Sequence, residues 1–226
     1  MAAVLFGVFS FAPGDSPDPA VVSISRAPAY QDAALLSHGW ALPVAARYQA
    51  AGFEYQDNPS FCGPTSAANV VRSLGRQTDQ RSVLKGTSFR TFLGYAWSPG
   101  NGPGMTLDQL ADVLAVSTGR EVKVMRSLDL AELREQLKLA NDERFRFVAN
   151  FNRAPLWGKG HGHISPILGY LEAEDLVFVG DVNKNYAPFL VSPDRLREAM
   201  DSPDSSTGKP RGLVRVGPVG DGPKGG

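Results

Sequence analysis

Apolar positions along the chain follow two periods, and the change falls near Asn141. Before it the spacing is helical. Leu107, Leu110, Ala111 and Leu114 share one face behind a capping box made by Thr106 and Gln109, and Gly119 stops the run. Leu130, Leu133, Leu137 and Ala140 repeat the pattern behind Asp129 and Glu132, with Lys138 near the end that favours a cation. Pro43 opens a helix over residues 44–49 that Gly52 closes, residues 67–74 form a short helix ending at Gly75, and residues 77–85 form a weaker one. After Asn141 the pattern turns to strands at residues 145–151, 163–170 and 176–181, joined by short gaps that predict antiparallel pairing. Residues 121–125 and 212–216 also read as strands, and Ser192 and Pro193 start a last helix through Met200. Pro166 predicts an edge or a bulge. The fold class is α+β, with a helical N-terminal part packed against a C-terminal antiparallel sheet.

Composition narrows the function classes. The 226 residues make one domain with tails, and 42% apolar content supplies a core. With 23 basic and 23 acidic residues there is no electrostatic case for nucleic acid or acidic membranes. No run of 18 apolar residues implies a transmembrane helix. Residues 1–12 are apolar, with Ser10 and Ala12 at signal-peptidase spacing but no Lys or Arg ahead of the run. The reading favours an export signal, hence a periplasmic or secreted protein with no membrane attachment after processing; without that signal the protein is cytoplasmic. Residues 1–28 are then signal and Pro-rich linker, 29–216 a single catalytic domain, and 217–226 a disordered Gly/Pro-rich tail. A homodimer is compatible with the sequence.

One cysteine excludes an internal disulfide framework and a Cys-based zinc site. Cys62 sits where the turn-forming Asp57-Asn58-Pro59 gives way to a helix. Free amides and the positive dipole end favour a thiolate there, the form that attacks carbonyls. Gln56, six residues earlier, can donate its amide to an oxyanion. A base is needed. His38 lies among no other chemistry and reads as a surface residue, whereas His161 and His163 flank Gly162 at a strand start. Asp181 ends the next strand, so antiparallel pairing sets it beside His163, where a carboxylate fixes the imidazole tautomer. A metal site from His-x-His and a carboxylate is the competing reading, but no further ligand stands out, and no metal ligands are assigned. The glycines at 100, 102 and 104 lack the following Lys-Ser/Thr of a phosphate loop and are expected to border a cleft. No Gly-x-Ser-x-Gly elbow marks a serine hydrolase.

Gln56-x5-Cys62-Gly63, Gly162-His163-Ile164-Ser165-Pro166-Ile167 and Asp181-Val182, in that order, resemble phytochelatin synthase, a papain-like cysteine transferase family. Residues 150–153, 157–160 and 204–212 also resemble family segments, and the likeness spans about residues 40–216. The resemblance implies glutathione, and glutathione conjugates, as substrate. Cys62 would attack the Cys–Gly carbonyl, Gln56 and the Cys62 amide would hold the oxyanion, His163 would protonate the departing glycine and Asp181 would orient it. Asp204 and Arg211 match positions that grip the γ-glutamyl group. Lys184 stands where the family often has Arg, in a segment with Tyr186 that serves the second substrate, and Lys is not a fork donor. The Cys-rich extension of plant members is not among these residues, so hydrolysis is expected to exceed transpeptidation. No tightly bound cofactor is implied, and cadmium or zinc would enter only as the metal-thiolate form of the substrate. Two other readings use the same residues: a leader-peptide peptidase with the same Gln-x5-Cys-Gly, and a non-catalytic thiol-binding protein of this fold.

Overall fold

The computed structural model describes residues 17–87 and 104–218. Its helices are α1 (Ala33–Ala41), α2 (Pro43–Ala50), α3 (Cys62–Ser73), α4 (Leu107–Thr118), α5 (Leu130–Lys138), α6 (Ala154–Trp157) and α7 (Pro193–Asp201). The strands are β1 (Val122–Met125), β2 (Arg146–Asn152), β3 (Gly162–Leu171), β4 (Leu176–Gly180), β5 (Pro188–Val191) and β6 (Gly212–Val216). They form one antiparallel sheet in the order β1-β6-β2-β3-β4-β5. This is the α+β layout expected from the sequence.

Strand periodicity divides the core in two. Val148, Ile164, Leu168, Phe178 and Val214 face α2, α3 and α4, whereas Phe147, Phe151, Ile167, Val179 and Phe189 face α5, α6 and α7. Helices therefore cover both faces of the sheet, not only the face met by the N-terminal helices. Both expected capping boxes form, at Thr106 with Gln109 and at Asp129 with Glu132. Gly75, at φ 83°, follows the end of α3 in a conformation that suits glycine.

Several expectations fail for local reasons. Residues 77–85 form only a 3₁₀ turn, Ser82–Leu84, because the Asp79 carboxylate accepts from the amides of Arg81 and Ser82, both at 2.8 Å. Pro166 lies on interior strand β3, so of the two expected alternatives the edge fails and the bulge holds, the register shifting just after it between Ile167 and Gly169. Strand β5 is too short to read from periodicity. The glycine loop expected to border a cleft lies outside the described residues except for Gly104, which does line the cleft at Cys62. The expected linker is, from residue 17 on, packed against the domain. Ile24 is buried, and the Asp18 amide donates to the Gly158 carbonyl at 2.7 Å.

Candidate active site

A short 3₁₀ turn, Pro59–Phe61, feeds directly into α3, whose first residue is Cys62. Asn58 holds the entry by accepting from the Ser60 amide at 3.0 Å. Ser66, one turn on, donates to the Ile164 carbonyl at 3.0 Å and pins the helix to β3. Gly63 is required by contact: a Cβ there would stand 2.7 Å from that of Met105.

His163 is the second residue of β3, and Asp181 follows the end of neighbouring β4. Their Nε2 and Oδ1 atoms are 2.9 Å apart, and Ser165 Oγ lies 2.9 Å from the same nitrogen. The imidazole also hydrogen-bonds Cys62. With Nε2 facing Asp181, Nδ1 is the nitrogen free for the thiol. Cys62 and His163 are only 6% and 5% exposed and Asp181 is fully buried, so water screens these contacts little.

Burial pushes the Cys62 thiol up, but the His163 hydrogen bond and charge, with the backbone amides of Ile164 and Gly63, outweigh it and leave the thiol below its ordinary value. Burial pulls His163 down, and Arg153 opposes its charge, yet Asp181 and Cys62 hold the imidazolium above its ordinary range. Asp181, though buried, is held below the usual carboxylate range by His163, Arg153 and the Asn183 amide. The arrangement favours a thiolate–imidazolium pair backed by a carboxylate.

Arg153 had no place in the sequence reading beyond its segment. It donates through Nη2 to both Asp181 oxygens, at 3.0 and 2.8 Å, and its guanidinium lies 3.5 Å from the Tyr186 ring centroid. An arginine at the end of strand β2, amid Phe151, Trp157 and Tyr186, was the available signal.

His161, Gly162 and His163 separate two clefts. The smaller, about 140 Å³, is lined by Cys62, Met105, Asn150, Asp204 and Arg211. Arg211 Nη1 donates to Asn150 Oδ1 at 2.8 Å and lies 3.5 Å from Asp204. Asn150 is fully buried, with no hydrogen-bond partner for its Nδ2 among the described residues. The larger, about 500 Å³, is lined by Gln56, Arg153, Lys184 and Tyr186. Asp204 and Arg211 thus join Cys62, while Lys184 and Tyr186 lie across His163 from them. Gln56 is tied by its amide to the Val182 carbonyl at 2.8 Å, but its side-chain Nε2 donates to the Asn58 carbonyl at 2.9 Å. A third cleft, about 430 Å³, opens at the far end of α3. Its arginines Arg72 and Arg146 are engaged by the carbonyls of Ala51 and Ser73.

Glutathione gamma-glutamylcysteinyltransferase 2 of Arabidopsis thaliana is 28% identical over 171 residues, covering 73% of this chain and 38% of that protein. Its namesake from Schizosaccharomyces pombe is 26% identical over 173 residues, covering 73% of this chain and 41% of its own length. The chain thus spans well under half the length of these relatives. Among solved structures, a putative C39-like peptidase from Bacillus anthracis aligns over 74% of this chain and 94% of its own, with 13% identity and a TM-score of 0.49. The peptidase domain of Streptococcus ComA aligns over 73% and 96%, with 17% identity and a TM-score of 0.46. The phytochelatin synthase profile matches residues 33–213, most of the chain and every residue of the two clefts named above, and the chain belongs to the phytochelatin synthase family.

Proposed function

We propose that this protein cleaves the Cys–Gly bond of glutathione through a γ-Glu-Cys thioester on Cys62. The reading rests on one observation: the Cys62–His163–Asp181 array opens onto a small pocket holding both Arg211 and Asp204. The γ-glutamyl end of glutathione carries an α-carboxylate and an α-ammonium side by side. A guanidinium suits the first and a carboxylate the second. The unpartnered Nδ2 of Asn150 supplies one more donor in the same pocket.

The Cys62 thiolate attacks the carbonyl carbon of the Cys–Gly amide. Gln56 and the Cys62 amide stabilise the oxyanion that forms. Imidazolium His163 passes its proton to the glycine nitrogen, the C–N bond breaks and glycine leaves. The neutral imidazole then takes a proton from water, whose oxygen attacks the thioester carbonyl, or from the amine of a second glutathione, whose nitrogen does so; the C–S bond breaks, the Cys62 thiolate returns beside imidazolium His163, and γ-Glu-Cys or (γ-Glu-Cys)₂-Gly is released. Lys184 and Tyr186 serve the cleft through which that second molecule enters. Hydrolysis is the main reaction because Lys184 offers a point charge where a planar fork would grip a carboxylate. Cadmium or zinc takes part as the thiolate complex of the substrate.

Mass spectrometry of glutathione incubated with the protein, with and without cadmium, tests this. Glycine and γ-Glu-Cys should appear and be lost in Cys62→Ala. Intact glutathione under every condition would overturn the substrate.

A further inference from the structure

The segment ahead of α1 lies outside the matched family region, which begins at residue 33, yet it reaches the catalytic carboxylate through an unbroken chain of contacts. Its backbone is anchored where the Leu190 amide of β5 donates to the Tyr30 carbonyl at 2.8 Å. The Tyr30 ring stacks on Phe189, with centroids 5.6 Å apart, and meets Trp157 edge-on at 6.4 Å. Trp157 meets Tyr186 edge-on at 4.9 Å, and the Tyr186 ring covers the Arg153 guanidinium at 3.5 Å. Arg153 in turn holds both oxygens of Asp181. A second tether runs beside the first: the Gln31 side-chain amide donates to the Tyr186 carbonyl at 2.9 Å.

We propose that Tyr30 is a positioning residue for the active site, clamping Trp157 and Tyr186 so that Arg153 stays seated on Asp181. Tyr30 itself touches no reacting atom. An aromatic ring lying on a guanidinium limits its movement, and such contacts strengthen when shielded from water. Arg153 is 6% exposed, and its Nη1 has no hydrogen-bond partner among the described residues, so ring packing and the single Asp181 contact fix its place. Burial holds the Tyr30 phenol above its ordinary value against a hydrogen bond with the Trp157 side chain, and the nearby charges of Asp181 and Arg153 also act on it, which places it in the same electrostatic neighbourhood. The charged and titratable groups facing His163 are Cys62 from α3, Asp181 after β4 and Arg153 between β2 and α6. Arg153 opposes the imidazolium charge, so loosening it raises the pH at which His163 loses its proton.

The proposal rests on the Cys62–His163–Asp181 reading of the site but not on glutathione, and its test needs no substrate. Cys62 is the only cysteine, so iodoacetamide labelling followed over pH reports the thiolate–imidazolium pair without ambiguity. In Tyr30→Ala the upper inflection of the labelling profile should rise by about 0.5 pH unit or more. Tyr30→Phe keeps both ring contacts but loses the hydroxyl's hydrogen bond with Trp157 and should shift the profile clearly less than Tyr30→Ala, while Val22→Ser, at an exposed position of the same segment, should change nothing. An unmoved profile in folded Tyr30→Ala, or an equal shift in Tyr30→Phe, overturns the proposal. Should Tyr30→Ala not fold, the surface variant Gln31→Ala carries the test: a smaller upward shift supports the clamp and an unchanged profile overturns it. Failure of glutathione cleavage in the parent protein leaves this result standing, and an unmoved profile leaves glutathione cleavage standing.

Discussion

Arg153 and Asp181 form a buried ion pair in which one nitrogen, Nη2, serves both carboxylate oxygens, at 2.8 and 3.0 Å. His163 takes one of those oxygens as well, so the carboxylate is shared between a permanent cation and a switching one. The aromatic cover over Arg153 needs a flat guanidinium, which an ammonium does not provide. Arg153→Lys should therefore fold but lose about 10²-fold in kcat, because a small misplacement of the acid–base pair has that cost. Arg153→Met leaves a buried carboxylate short of a partner and should destabilise the fold by about 3–5 kcal/mol in urea unfolding. Parent-level turnover in folded Arg153→Lys would remove the residue from the site.

The protonation states set a signed pH dependence. The ordinary thiol value is 9.0, and burial alone would push Cys62 above it; His163, with the amides of Ile164 and Gly63, brings it below. Labelling of Cys62 by iodoacetamide should accordingly begin at a lower pH in the parent than in His163→Ala. Asp181→Asn removes the charge that does most to hold His163 up, so burial and Arg153 should lower its value from that of the parent. Linkage follows from the same directions. The stabilisation from a raised His163 is complete below 6.5 and is lost as pH climbs through its folded value. That from a depressed Asp181 is complete above 3.8 and is lost as pH falls through its folded value. A thermal-shift series across pH on parent and His163→Ala checks the alkaline side, where the mutant curve should be flatter.

The juxtaposition of Cys62, His163 and Asp181 was legible because each rests on local rules. Cys62 is the only cysteine and lies between turn formers and a helix closed by Gly75, and two short-linked antiparallel strands bring His163 and Asp181 together. Arg153 was not legible, because its role arises only when the end of β2 meets the end of β4 across β3. The same holds for Asn150, whose bond to Arg211 spans 61 residues of sequence. Strand β6 sits between β1 and β2, a placement that no periodicity encodes. Tyr30 fell just inside the expected catalytic domain, past the Pro-rich linker, with nothing in its neighbours to mark a role, and only the aromatic faces of Trp157 and Phe189 give its ring a place.

Gly162 provides the room for Arg211. A Cβ at Gly162 would stand 2.4 Å from Arg211 Nη1, which is inside any allowed contact. Gly162→Ala should displace the guanidinium from the small cleft while leaving Cys62 and His163 in contact. The expected result is a rise in KM for glutathione of about tenfold or more, equal to about 1.4 kcal/mol of lost binding, with an unchanged iodoacetamide profile. A fall in kcat alone would mean that Arg211 acts on the reaction rather than on substrate capture.

Gln56 is the remaining catalytic assignment with a distinct signature. Its backbone is fixed on Val182, next to Asp181, so the side chain starts from a rigid point beside the site. Its Nε2 has one hydrogen on the Asn58 carbonyl, and a primary amide has two, so one donor is left to aim at an oxyanion. Such a donor acts only once negative charge develops on the carbonyl oxygen, and contributes nothing to the resting thiolate. Gln56→Ala should therefore reduce kcat by about 10²–10³-fold, while the labelling profile of Cys62 stays where it is. Gln56→Glu should be at least as slow, because a carboxylate opposes the developing charge. If both variants instead shift the Cys62 profile and spare kcat, Gln56 supports the resting site and the oxyanion is held by the backbone amides at the start of α3 alone.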